Sequence, residues 1–270
     1  MHGARRTAPH VVELMVREHA IWLTTAIACV LLIASAIGVW LKYHRAQGQP
    51  HAVIDNLNAR IRSWWVIAAL LGGALWAGTL ATFGLFAIVS LIALREYTRA
   101  APTSRALTWL AGLGICVIGI AHIPALLTLD IPGYSGRNIF LLVFLVLIAQ
   151  ASDVLQYLWG KWLGKHPVAP RISPSKTVEG FLGGITCATV LGTSLWWITP
   201  FTMVQAAVVS LLIAFLGFVS GLILSAQKRA RGIKDWGDLI HGHGGMLDRL
   251  DSLWLSAPLF YYFVKYGWAD

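Results

Sequence analysis

The chain has 270 residues, 57% hydrophobic and 12% charged, where an average soluble domain is about 25% charged. That balance excludes an ordinary water-soluble globule and implies an all-α polytopic integral membrane protein. The net charge of +9 would suit nucleic acid, but cations flanking apolar spans are the ordinary product of positive-inside sorting, so no nucleic-acid partner is expected.

The N-terminal segment carries Arg5 and Arg6 but also Glu13 and Glu18, and the apolar run from Ala20 is too long for a cleaved signal peptide. It is expected to remain as the first span. Hydropathy places spans near 20–42, 64–81, 83–96, 106–123, 138–158, 179–199, 203–224 and 253–267, about eight transmembrane helices. The run from Trp64 to Leu94 is too long for one ordinary crossing, and a turn within Gly78 to Gly84 is expected to split it into a short helical hairpin. With this count the segments 43–63, 97–105, 159–178 and 225–252 share one face, which holds most of the 21 lysines and arginines. That face is expected to be cytoplasmic, with both termini outside. Cys29, Cys116 and Cys187 lie in apolar runs without a C-x-x-C pair and read as small core residues. The chain is expected to divide into an N-terminal transmembrane region, 1–136, and a C-terminal transmembrane region, 137–270, that carries the polar motifs, with no internal repeat.

Residues suited to chemistry gather in the second region. In "KWLGKHPVAPRISPSKTVEGFLGG", Lys161, Lys165, Arg171 and Lys176 stand just before a span. Ser173 followed by Pro174 reads as an N-cap with proline at the first helical position. A helix beginning there would aim free N–H groups at the cytoplasmic face, where Gly180, Gly183 and Gly184 permit close approach of an anion. A basic loop holding lipid headgroups, followed by small residues for helix packing, fits the same letters. Asp153, inside the end of its span, and Glu179, at the mouth of the next, are costly there unless paired or metal-bound. A functional role is the default, with pairing to Arg or Lys as the structural alternative.

"KDWGDLIHGHGGMLDRLDS", Lys234 to Ser252, holds four of the 12 acidic residues. Asp248 and Asp251 are three apart, which on a helix puts both carboxylates on one face with Arg249 turned away. Asp235 and Asp238 repeat the spacing, and Gly242, Gly244 and Gly245 lie between the pairs, where they break helix and let backbone N–H groups approach a ligand. Lys228, Arg229, Arg231 and Lys234 come directly before. Carboxylates beside a cationic, glycine-rich strip suit a magnesium-bound polyphosphate. His241 and His243 have a spacing that two zinc ligands can use, but no cysteine or evident third ligand stands near, and a histidine orienting a phosphate or carboxylate fits better. A solvated charged loop would account for the charges but not for the glycines between two carboxylate pairs.

At this point the residues resemble a family. "SAQKRARGIKDWGDLIHGHGGMLDRLDS" is similar to the signature of the phosphatidate cytidylyltransferases, or CDP-diacylglycerol synthases, through Ser225, Lys228, Arg229, Lys234, Asp235, His243, Gly244, Gly245, Asp248, Arg249 and Asp251. "SPSKTVEG" resembles a second family segment through Ser173, Pro174, Lys176, Thr177, Glu179 and Gly180, and Asp153 stands in the place of an intramembrane family aspartate. Gln227 and His241 depart from the pattern, and Ser220-Gly221 replaces a Gly-Asp pair frequent in the main branch.

The resemblance implies transfer of CMP from CTP to phosphatidate, giving CDP-diacylglycerol and pyrophosphate, with magnesium as cofactor and room for a second cation. It assigns catalysis to Asp248, Asp251, Asp235, Lys234 and Arg249, metal binding to Asp248, Asp251 and Asp153, and substrate binding to Lys176, Ser173, Thr177, Glu179, Ser225, Lys228, Arg229, His243, Gly244 and Gly245. Membrane lipids are expected neighbours, a homodimer is left open, and a bacterial inner membrane with the site facing the cytoplasm is the expected location. A transporter for an anionic solute is the competing class, and it predicts broken helices repeated in both halves, which the charged motifs do not show. A variant or inactive relative acting on another lipid phosphate is a third reading.

Overall fold

The computed structural model describes residues 9–100, 105–239 and 244–269. Helices dominate: α1 (Pro9–His44), α2 (Ala52–Ala77), α3 (Thr79–Arg99), α4 (Arg105–Gly112), a π-helical stretch (Leu113–Gly119) and α5 (Ile120–Ala125) make the first half. The second half contains α6 (Asn138–Leu163), the strands β1 (Pro167–Ala169) and β2 (Ser173–Thr177), α7 (Val178–Ser194), α8 (Met203–Ala230), α9 (Leu247–Leu250) and α10 (Leu253–Trp268). Each of the expected apolar runs lies mainly in helix.

Among the described residues, five segments are long and apolar enough to cross a bilayer by length and composition: Val16–His44, Thr79–Arg99, Ala106–Thr128, Asn138–Leu163 and Met203–Ala230. At 17 and 16 residues, α7 and α10 fall short of the about 20 residues of an ordinary crossing. The first three turns of α2 carry Asp55, Arg60 and Arg62 before the helix becomes apolar.

Between α2 and α3 the break falls on Gly78 alone, at φ 106°, a conformation that glycine adopts without a Cβ penalty. Thr82 Oγ1 donates to the Ala74 carbonyl at 3.1 Å and so meets one of the acceptors that the break exposes. The break falls within the stretch Gly78 to Gly84 where a turn is expected, and at one residue it is shorter than the about two to five that commonly join an antiparallel helical hairpin.

The core is built around α6, whose Phe140, Leu141, Leu142, Phe144, Leu145 and Ile148 are buried. Helix α7 packs closely against α6 and α8 because its contact positions are small. A Cβ at Gly180 would stand 2.7 Å from the Gln156 carbonyl oxygen, one at Gly184 2.6 Å from Gln156 Cα, and one at Gly192 1.8 Å from Ser210 Oγ. In a bilayer, where apolar surface gains little from leaving lipid, this close backbone approach is a main source of helix association. Gly180, Gly183 and Gly184, expected to admit an anion, instead face α6 through Gln156, Gly160 and Trp159. One buried cluster runs from Leu23 to Val264 and crosses residue 136, so α3 and α5 share a core with α6, α8 and α10. Cys29, expected in the core, is exposed on α1, which has few neighbours beyond α2.

The two ends of the bundle are tied differently. At one end the Tyr134 hydroxyl donates to the Ile198 carbonyl, and Arg137 Nη2 donates to Trp197 O at 3.1 Å. At the other end β1 and β2 form an antiparallel hairpin pairing Pro167 with Thr177 and Ala169 with Ser173. Helix α7 therefore starts at Val178, not at the expected Ser173-Pro174 cap. Its cap is Thr177, whose Oγ1 accepts from Gly180 N at 3.1 Å. Strand pairing wins over an earlier helix start because the hairpin satisfies the backbone, and a proline lacking an N–H is tolerated in such an edge strand.

Candidate active site

Three separated stretches meet at the hairpin end of the bundle: the end of α3, the β1–β2 hairpin before α7, and the segment from the end of α8 to α10. Glu96 contacts residues 246 and 247, Arg231 contacts Tyr97, and Arg229 contacts Ile172. These are segments that the charge distribution places on one face.

The upper layer of the site is organised by Asp248, which is buried. Its Oδ1 accepts from Lys228 Nζ at 2.7 Å, and its Oδ2 accepts from Trp236 N at 2.8 Å and Gly245 N at 2.9 Å. Lys228 is also buried, so the pair is a desolvated, charge-assisted contact whose breakage leaves an uncompensated charge. Gly244 lies at φ 78°, and a Cβ there would stand 2.8 Å from Asp248 Oδ2. Glycine at this position lets the chain close on the protein's own carboxylate. His243, with His241 and Gly242, lies outside the described residues.

The lower layer contains Asp251 and Asp153. Asp153, on α6, has Asp251, Lys176, Ser252 and Arg249 as its electrostatic neighbours; Lys176, Lys228 and Arg249 oppose the charge of Asp251. Among the described residues neither acid is in a direct ion pair. Lys176 leaves β2 with its Nζ 4.8 Å from the centre of the Phe218 ring on α8. A Cβ at Gly221 would stand 2.8 Å from that Nζ and 3.8 Å from Asp251 Oδ2. Position 221, the site of the departure from the family pattern, thus faces the acid cluster, and its bare backbone leaves room for the Lys176 ammonium. The turn carrying Asp248 and Asp251 is held from below: Ser220 Oγ donates to the Asp251 carbonyl, and Gln150 Nε2 donates to the Arg249 carbonyl at 3.1 Å. Arg249, expected to turn away from the carboxylates, lies half-buried within the field of Asp251, Asp248 and Asp153, because α9 is a single turn and the acids are gathered by tertiary contacts.

Other expected residues have visible employments. The Glu179 carboxylate accepts from the backbone N–H groups of Lys165 at 3.0 Å and His166 at 3.2 Å, and lies 2.5 Å from His166 Nδ1, fastening the hairpin to α7. Arg229 donates to the carbonyls of Ile172 at 3.2 Å and Ile233 at 3.1 Å. Ser225 is half-buried on α8, four residues after Gly221 and therefore on the same helical face. Ser173 is half-buried on β2, while Lys234 and Asp235 are exposed in the loop after α8.

Helix α3 also contributes to the site, through residues that the motifs of the second half do not include. Both oxygens of Glu96 accept backbone hydrogen bonds, from Met246 N and Leu247 N, each at 2.9 Å. The Tyr97 hydroxyl donates to Gln227 Oε1 at 2.9 Å, and the Arg231 guanidinium lies 4.1 Å from the Tyr97 ring centre and 4.8 Å from that of Trp236. Gln227, which departs from the family pattern, thus has a partner in the first half of the chain. An acid at the end of an apolar span was the available signal for Glu96, the same argument that singles out Asp153.

Two carboxylates brought together without an ion pair are a donor set that suits a hard cation. Among the described residues no group of three or more His, Cys, Asp or Glu side chains forms a ready metal cage. Magnesium does not need one, since it commonly takes one or two carboxylates and completes its shell with water and phosphate oxygens.

Acids and cations concentrated at one end of an apolar helical bundle suit a membrane-embedded nucleotidyltransferase, and that is the class to which the relatives point. Residues 103–267 match the model of the cytidylyltransferase family, and the chain belongs to that family. It is 31% identical over 295 residues to the uncharacterized protein YnbB of Escherichia coli (strain K12), a match covering 87% of this chain and 95% of that protein. It is 44% identical over 116 residues to the phosphatidate cytidylyltransferase of Synechocystis, covering 42% of this chain and 39% of the relative. A match to the phosphatidate cytidylyltransferase of Staphylococcus aureus (strain COL) is 38% identical over 126 residues and covers 46% of this chain and 48% of the relative. The chain therefore aligns with less than half the length of these two named enzymes.

Proposed function

We propose that the protein transfers CMP from CTP to phosphatidate at the cytoplasmic surface of a bacterial inner membrane, serving phospholipid synthesis. The observation that carries this reading is the convergence of Asp153, Asp251, Lys176 and Arg249, drawn from α6, β2 and the turn before α10, on one electrostatic cluster. In the reaction a phosphate oxygen of the lipid attacks the α-phosphorus of CTP. A new P–O bond joins lipid phosphate to CMP, the α–β bridging bond breaks, and pyrophosphate leaves with the electron pair. The site must bring two polyanions together and hold the departing charge, work done mainly by position and electrostatics.

Lys176 and Arg249 face the open acids and would hold phosphate oxygens, while Lys228, tied to Asp248, sets the cationic wall behind them. Asp153 and Asp251 would hold magnesium, joined by Asp248 if its Oδ1 exchanges Lys228 for the metal. Bound there, the ion would neutralise charge on the triphosphate. A general base is unnecessary, because the lipid phosphate is already ionised near neutral pH.

The test uses purified full-length protein in detergent with phosphatidate, labelled CTP and magnesium. Label is expected in a lipid-linked product together with released pyrophosphate, and Asp251→Asn should abolish both. No product across a panel of acidic lipids would remove this reading in favour of anion transport or an inactive relative.

A further inference from the structure

We infer that Glu96, on α3, is a positioning residue for nucleotidyl transfer, acting through the turn that carries Asp248; the inference rests on the function proposed above. Glu96 lies outside the stretch matched by the family model and about 150 residues before the turn it holds.

The geometry argues for more than a surface contact. Helix α9 has no side-chain cap of its own at Met246. Its first N–H groups would be orphaned, and Glu96 satisfies two of them with a full negative charge. The chain has made room for that carboxylate twice. A Cβ at Gly237 would stand 2.8 Å from Glu96 Oε1, and one at Gly245 would stand 2.5 Å from Glu96 Oε2. Those glycines adjoin both backbone donors of Asp248: Trp236 precedes Gly237, and Gly245 itself donates. Glu96 therefore fixes the cradle that decides where Asp248, and with it Lys228, points. Its hydrogen-bond partners are backbone groups and neither Asp153 nor Asp251, so its effect on substrate is indirect.

Nearby, Tyr97 and Arg231 keep α3 seated against the end of α8, which separates the two roles. Removing Glu96 should free the turn while leaving α3 docked.

The experiment compares Glu96→Gln, Glu96→Ala and Glu96→Asp in the full chain, purified in detergent. Three readouts are taken: kcat and KM for each substrate, the magnesium concentration giving half-maximal rate, and the magnesium-induced rise in melting temperature without substrate. Losing charge-assisted hydrogen bonds to the turn should lower kcat about 10- to 100-fold in Glu96→Ala. The KM for phosphatidate should move by less than about threefold, since no lipid contact is lost. Glu96→Gln, which keeps one acceptor oxygen, should fall between Glu96→Ala and the parent. The magnesium-induced melting shift should shrink in the same order.

Adding Glu96→Ala to Asp248→Asn should change that shift no further if the two act as one unit. An additive change, or a folded Glu96→Gln and Glu96→Ala pair with parental kcat and magnesium dependence, would overturn the inference. A loss of rate that follows melting temperature alone, fully restored by assay at lower temperature, would also overturn it by reducing Glu96 to a stability contact. If the parent makes no product with CTP and any acidic lipid, the functional reading fails, and the metal-dependent melting series still judges Glu96.

Discussion

Asp248 and Asp251 are three residues apart and occupy opposite kinds of surroundings. Around Asp248 every oxygen is spoken for: a buried ammonium on one, two backbone N–H groups on the other, and a glycine at positive φ that lets the chain close over it. Around Asp251 the cations stand off, a second acid is close, and Gly221 leaves open backbone where a side chain would intrude. The Asp-Arg-x-Asp pattern thus divides into an acid that shapes the site and an acid left available to ligands. A carboxylate tied to a buried ammonium and one without a direct ion pair have the same letter in the sequence but opposite expected consequences when neutralised.

The contrast can be broken most forcefully at Asp248. Asp248→Asn strands Lys228 in a buried place and should cost about 3–5 kcal/mol of stability, read as a lowered melting temperature in detergent. Pairing it with Lys228→Met should recover part of that loss, since both charges then leave together. Asp251→Asn should do the reverse, lowering the rate of lipid-linked CMP formation about 100-fold or more while the melting temperature stays near the parent's. If Asp251→Asn unfolds the protein as Asp248→Asn does, the division between the two acids is wrong.

Smaller effects sharpen the boundary between packing and chemistry. Gly184→Leu forces side-chain volume against the Gln156 backbone and should destabilise by about 1–3 kcal/mol, with an unchanged magnesium concentration for half-maximal rate. Gly221→Ala should have the smallest effect. Its new Cβ meets the mobile end of Lys176, so stability should remain within about 1 kcal/mol and the rate should fall less than about tenfold.

The apolar runs were legible because a bilayer demands length and hydrophobicity and tolerates few substitutes. Asp153 and the aspartates near the C-terminus stood out for the complementary reason, as charges placed where an oily chain has little cause to keep them. The start of α7 was harder. Ser173, Ser175 and Thr177 all have hydroxyls fit to cap a helix, and only the pairing of β2 with β1 selects Thr177. Glycine was ambiguous in the same way: Gly180 and Gly184 serve helix contact, whereas Gly244 and Gly245 serve carboxylates, and neighbouring letters do not distinguish these uses. Glu96 was open to the same argument as Asp153, but its partners Met246 and Leu247 were hidden by separation along the chain.

The single-residue break at Gly78 has a consequence for any attempt to exchange parts between relatives. A chimera joined at residue 103, where the family match begins, would carry the recognisable motifs yet take its α3 from the wrong parent. The Glu96 and Tyr97 contacts would then be left to chance. A graft joined at Gly78 moves α3 together with the loop it clasps, and places the seam where the helix has already ended.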